Sequence, residues 1–404
     1  MIQSQNNGAG RVVITHALRT PIGKYFGSFS ELSAADVGVH AVRALFDGTG
    51  VDAADVGELI FGNGRQAGGG PNVARQIAYR AGIGESAPAW TVNMACASGL
   101  KAVQLAADSI LAGRTEIAVA GGTESMSGLP FFLPRFRKGY RLGHAPVVDA
   151  MYRDGFECPL SGMLMGATAE KLAGQMEIGR EEQDAFALES QRRAAAAIEA
   201  GRFADEIVAV EVVGRKGAVS LVETDEHPRP SASMEGLAKL PAVFDREAGT
   251  VTAGNSSGIT DGAAALLLMS EARAADLGLT PLAAVGPVTQ VGVDPSVMGI
   301  GPVPAVRALG EANGLAPDAY DLIELNEAFA AQVIACDREL SLPADRLNVN
   351  GGSIALGHPI GCTGARIVVT LLHELARRGG EHGLATLCVS GGMGFAAAFD
   401  RTGL

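Results

Sequence analysis

The chain has 404 residues, 47% hydrophobic and 19% charged, too long for one small core and apolar enough for two or three domains. A net charge of −12, one Trp and five Tyr argue against polyanion binding and against aromatic platforms for nucleic-acid bases. Apolar runs such as AAALLLM at 263–269 are too short to cross a bilayer, and five cysteines without a CxxC pair argue against structural zinc.

The polar start MIQSQNNGAG has neither a basic segment nor an apolar stretch of the kind that directs secretion. The expected setting is the reducing cytoplasm, with cysteines free for chemistry or packing. Beyond it, RVVITHA (11–17) and ELIFGN (58–63) read as buried strands. The segments at 32–48 and 72–82 read as helices that stop at Gly. This alternation predicts an α/β architecture.

NMACASGLKA (93–102) sets Cys96 before a helical stripe of Leu100, Val103, Ala107, Ile110 and Leu111. A helix starting near Ala97-Ser98 would offer the thiol free N–H groups and a positive dipole end, both of which favour the thiolate. Taken alone, a cysteine in such a place is more often a core residue. From about 128 to 250 the alternation breaks, which predicts an inserted loop domain holding a long charged helix at 180–201. Arg135, Arg137, Lys138 and Arg141 within it read as a solvated loop face. The stretch 249–272 returns to strand, loop and helix and is expected to rejoin the first half.

Three further places invite a chemical reading. In IELNEAFAAQ (323–332), Asn326 and Glu327 lie between a strand-like run and an apolar helix, where Asn either caps the helix or holds a water or oxyanion. His358 precedes Pro359 among glycines, ahead of another helix, and is a candidate base for Cys96. Cys388 ends an apolar strand before Gly391-Gly392, as a core residue or as a proton shuttle beside the first thiol. Helix, strand and Gly pair recur from 98 to 121 and from 364 to 391. Two related halves facing each other would produce that pattern, and so would any two strand–helix–strand units.

Taken in order, RTPIGKYFGSF (19–29), NMACASGLKAV, VAGGTESMS (119–127), EEQDAFALESQ (181–191), GTVTAGNSSGITDGAAA, NEAFA, GGSIALGHPIGCTGAR and CVSGGMG resemble the thiolase family over nearly the whole chain. The resemblance implies a layered α/β sandwich of two related halves: 1–127 completed by 251–280, then 281–404, with 128–250 inserted. It implies that Cys96 accepts an acyl group from a CoA thioester, that His358 deprotonates it and helps bind the thioester oxygen, and that Cys388 moves the α-proton of acetyl-CoA. Asn326 would position a water in one oxyanion hole, and the N–H groups of Cys96 and Ser390 would form the other. Ser257 and Arg229 match positions that contact CoA, while Met165, Met298 and Phe329 match its tunnel.

Two positions depart from the family. Short-chain members usually carry His where Leu164 stands, so a more apolar acyl pocket and a broader or longer 3-ketoacyl range are expected. Ser390 replaces a frequent Gly, which would matter only if that residue needed a positive φ. The same resemblance implies acyl-CoA and CoA as partners, no resident cofactor or metal, no nucleic acid or membrane, and a homodimer or homotetramer. Two other readings compete. A decarboxylating ketosynthase would want two histidines in place of the Asn326, His358 and Cys388 set. A non-catalytic thiolase-like subunit would have lost a nucleophile or base.

Overall fold

Short aliphatic runs between glycine turns make strands here because few of them are long enough for a helix. In the computed structural model, which describes residues 10–214 and 217–404, the first half contains β1 (Val12–Arg19), the short β2 (Gly23–Lys24), β3 (Glu58–Gly62), β4 (Ala89–Val92) and β5 (Ile117–Glu124). The polar start, except for its last residue, lies outside the described residues. Between these strands run α1 (Ala34–Ala44), α2 (Val73–Arg80) and α3 (Ser98–Leu111). α1 starts inside its apolar pattern, where Ser33 and Asp36 close a reciprocal capping box, and ends at Ala44.

The segment that follows carries two small ribbons, β6 (Phe131–Phe132) with β7 (Val148–Asp149) and β8 (Val210–Val213) with β9 (Val219–Val222). Its helices are α4 (Met165–Gln175), α5 (Arg180–Glu199) and α6 (Met234–Ala238). The chain then enters β10 (Thr260–Ser270), which inserts between β1 and β5, and α7 (Glu271–Asp276). The second half comprises β11 (Ala283–Gly292), α8 (Pro302–Asn313), β12 (Leu322–Leu325), α9 (Ala330–Leu340), α10 (Ser353–Leu356), α11 (Ile360–Arg378), β13 (His382–Val389) and β14 (Met393–Asp400).

The main sheet runs β12-β13-β14-β11-β1-β10-β5-β3-β4. Its two halves meet at a narrow seam, where β1 pairs with β11 only through Val13–Ala284 and Ile14–Ala283. Every residue of β5 is buried, as expected for a strand covered on both faces. One apolar cluster packs α1 and α2 on the outer face of the first half, and another packs α8 and α9 on the second. The largest cluster lies between the halves and is built on α3 and α11. The result is the expected layered α/β sandwich.

Small residues set how closely the two central helices approach. A Cβ added at Gly99 would lie 2.6 Å from the Ala365 nitrogen, and one at Gly364 would lie 2.5 Å from the Leu100 nitrogen. Both neighbours are backbone and cannot swing aside, so glycine is required at the crossing. That contact matters for function, because Cys96 and His358 stand just ahead of these two helices.

Candidate active site

A cavity of about 270 Å³ opens where the starts of α3, α4, α9 and α11 converge. Cys96, His358, Ser390, Ser257, Leu164, Met165, Met298 and Phe329 all line it. Four residues of the sequence reading take their places from helix starts. Cys96 lies in a tight turn (Ala95–Ala97) before α3, and His358 precedes the Pro359 that opens α11. Leu164 and Phe329 are the last extended residues before α4 and α9.

The turn that presents Cys96 is strained and clamped. Ala95 adopts φ 46°, a left-handed conformation uncommon for a residue with a side chain. Ser98 holds the turn by accepting from the Met94 N–H (2.9 Å) and donating to the Ala95 carbonyl (2.6 Å). The N–H groups expected to favour the thiolate do not act alone. Burial dominates and pushes the Cys96 thiol above cysteine's ordinary value, while Arg65 and the N–H groups of Ser390 and Cys96 itself pull it back only in part. α3 begins two residues beyond the thiol, at Ser98.

His358 is equally dry, and burial together with the nearby Arg65 and Arg366 pushes its pKa down to about 3. Its tautomer follows from its neighbours. The Thr363 hydroxyl donates to the Pro359 carbonyl (3.0 Å), so at 2.6 Å it accepts the proton on Nδ1. Nε2 is left with its lone pair and no protein partner. A neutral imidazole with a free basic nitrogen therefore shares a cavity with a neutral thiol.

Cys388 and Asn326 do not reach the cavity surface. Cys388 is fully buried near the end of β13 and belongs to a small apolar cluster with Cys158, Met165, Met298 and Ala328. Burial and the nearby Cys96 push its thiol well up. The expected helix start at Asn326 is four residues early, since α9 begins at Ala330. Asn326 instead extends β12: its N–H donates to the Thr386 carbonyl (3.0 Å), so it caps no helix. Its Oδ1 accepts from the Ser353 hydroxyl at 2.6 Å, which leaves Nδ2 buried and unpaired.

Ser390 needs no left-handed backbone, because Gly391 and Gly392 carry the positive φ angles of 92° and 85°. Ser257 is fixed by its N–H to the Ala328 carbonyl (3.0 Å). Arg229 stands outside the cavity and is exposed. Its link to the cavity is indirect, through His227, whose ring packs against Gly258 on the cavity wall.

Two charged residues escaped the sequence reading. Glu124, at the end of β5, is buried and accepts from Asn63 Nδ2 (2.6 Å) and from the N–H groups of Gly64 (3.0 Å), Arg65 (3.1 Å) and Gly361 (2.8 Å). It thereby ties the end of β3 to the start of α11. Arg65 lines the cavity itself and is only 5% exposed. The available signal was an arginine directly after a buried strand in the glycine-rich GNGRQAGGG.

The family model for the thiolase N-terminal domain matches residues 12–272, and that for the thiolase C-terminal domain matches residues 279–401. An acetyl-CoA acetyltransferase of Chromobacterium violaceum is 51% identical over 390 residues, covering 96% of this chain and 99% of that protein. The crystal structure of the Bacillus anthracis acetyl-CoA acetyltransferase superimposes with a TM-score of 0.95 at 44% identity, over 97% of this chain and 99% of that one. Human mitochondrial 3-ketoacyl-CoA thiolase in complex with CoA gives a TM-score of 0.93 at 39% identity, over 97% and 98%.

Proposed function

The chain belongs to the thiolase family, and from that premise we propose how its own residues carry CoA-dependent acyl transfer, with Cys96 as nucleophile, His358 as its base and Cys388 as the acid/base toward acetyl-CoA. The enzyme is a thiolase-type acyltransferase that cleaves 3-ketoacyl-CoA with CoA, or runs the reverse condensation. The observation that carries the assignment of roles is the pairing in one cavity of a buried thiol with an imidazole whose Nε2 lone pair is free.

In the cleavage direction, the Cys96 proton passes to His358 Nε2 as sulfur adds to the keto carbon C3. A neutral base and a neutral thiol exchange one proton at the moment of attack, so no separated charges need be stored in a dry site. The N–H groups of Cys96 and Ser390 already favour negative charge at this position, which supports them as one oxyanion hole. Breaking the C2–C3 bond leaves the acyl group on Cys96 and an acetyl-CoA enolate, which takes its proton from Cys388. Nδ2 of Asn326, free and buried, supports a role in holding a water for the other oxyanion hole. The CoA thiol then gives its proton to the Cys388 thiolate as its sulfur takes the acyl group, and the departing Cys96 sulfur recovers its proton from His358.

Leu164 and Met165 line an apolar wall, which supports a 3-ketoacyl range beyond the four-carbon substrate. Ser257, Met298 and Phe329 support CoA along the cavity, with Arg229 outside it at the nucleotide end. CoA is substrate and product in this reading, with no resident cofactor. Assembly as a homodimer or homotetramer belongs to the same reading and is supported by exposed Phe131, Phe136 and Leu142 on the segment after β5. Among the described residues no helix is long and apolar enough to cross a membrane. A cytoplasmic setting remains part of the proposal.

Acylation provides the test. Intact-mass measurement after mixing with acetyl-CoA should show one acetyl adduct in the wild type and none in Cys96→Ser. An adduct that persists in the variant would move the nucleophile elsewhere.

A further inference from the structure

Among the described residues Arg65 is the one cationic side chain in the cavity lining, and the mechanism above gives it no work. Its guanidinium is only partly satisfied. NH1 donates to the Asp154 carbonyl at 2.9 Å, Nε is buried without a partner, and among the described residues the side chain makes no other hydrogen bond. Its position is held by packing. The Phe156 ring lies 5.9 Å away, and Gly155 faces the guanidinium so closely that any Cβ there would overlap it.

The buried carboxylate that acts on it, Glu124, has its oxygens occupied by Asn63 and three backbone N–H groups. Much of the cavity lining that Arg65 shares is apolar, with Met126, Phe156, Leu164 and Ile360 among it. His358 is neutral there, and Cys96 becomes a neutral thioester once acylated. Free donors on a fixed, dry cation are left unfilled unless the acyl group brings an acceptor.

We propose that Arg65 makes the acyl pocket a carboxylate site, so that the preferred substrates are 3-oxoacyl-CoA thioesters whose acyl chain ends in an ionised carboxyl group. This rests on the thiolase reading and uses the same balanced steps: C2–C3 cleavage releases acetyl-CoA and leaves an ω-carboxyacyl group on Cys96, which CoA then removes. The guanidinium fork suits a carboxylate in two-point contact. The phosphates of CoA, the substrate's other anions, are separated from the thioester by the pantetheine arm, whereas Arg65 lies near enough to Cys96 to stabilise its thiolate.

The test compares thiolysis kcat/KM for the six- and eight-carbon 3-oxo-ω-carboxyacyl-CoA thioesters with the methyl-ended 3-oxoacyl-CoA of each length. A site built around a charged hydrogen bond should favour the carboxylated substrate, by on the order of 100-fold at one length. Arg65→Met should bring that ratio below one, and Gly155→Ala, which displaces the guanidinium without removing it, should also collapse it. Thiolysis of methyl-ended substrates with no preference at either length overturns this proposal alone. An equal loss on both classes in Arg65→Met overturns it too, because the arginine would then act on Cys96 and not on the acyl chain. Failure to cleave any 3-oxoacyl-CoA overturns the thiolase reading beneath it.

Discussion

His358 and Cys96 show how one physical term, desolvation, sets the resting state of a catalytic pair. Burial lowers the imidazole and raises the thiol, so both are neutral across the physiological range. The thiolate forms only as the proton moves. The same burial has a stability consequence whose sign can be worked out. Below an unfolded-state pKa near 6.5 the unfolded chain protonates this histidine, while the folded chain resists until about pH 3. The folded state therefore binds fewer protons in that window, and its stability falls as pH falls, by about 1.4 kcal/mol per pH unit from this group. Urea unfolding at pH 7.5, 6 and 5 should show a steeper loss in the wild type than in His358→Asn. Parallel curves would mean that the ring is solvated in the folded protein.

At the scale of elements, the crossing of α3 and α11 carries the site. Each helix start positions one member of the pair, and the spacing between the helices is set by Gly99 and Gly364. Alanine at either position meets backbone atoms at 2.6 Å or 2.5 Å. Such overpacking should cost about 1–3 kcal/mol in urea unfolding. It should also lower kcat, since Cys96 and His358 move with their helices. Gly174 in α4 supplies the contrast, because a Cβ there meets nothing within 4 Å. Gly174→Ala should stabilise by about 0.5–1 kcal/mol through helix propensity alone. Equal effects at the three positions would show that propensity, and not the close approach, governs these glycines.

Across the whole molecule, the segment between β5 and β10 is held to β1 by a buried ion cluster. Arg19 at the end of β1 donates from Nε to Glu206 (2.6 Å) and from NH1 and NH2 to Asp225 (2.7 and 3.0 Å). Thr370 of α11 also donates to Glu206 (3.1 Å), so the cluster joins three parts of the chain. All three charged side chains are at most 1% exposed. Arg19→Met would leave two carboxylates buried without their cation and should cost about 3–5 kcal/mol. A loss below about 1 kcal/mol in urea unfolding would show that water enters the cluster freely.

Much of the fold was legible from local pattern. Apolar runs of strand length, helical stripes ending at glycine and the repeat around 98–121 and 364–391 depend on neighbours along the chain, and the sheet and the two central helices follow them. Cys96 and His358 were legible for the same reason, since each sits in a small-residue turn ahead of a stripe. Asn326 was placed correctly at the end of a strand, yet its helix start was misread because the Thr386 carbonyl that extends β12 lies some 60 residues away along the chain.

The α/β alternation, the family resemblance and the candidate nucleophile and base are all written in short stretches of the chain. The protonation states of that pair, the unpaired amide of Asn326, the exclusion of Arg229 from the cavity and the presence of Arg65 within it arise where distant segments meet. Burial and charge at a point are sums over segments that meet only on folding, and no local pattern contains that sum.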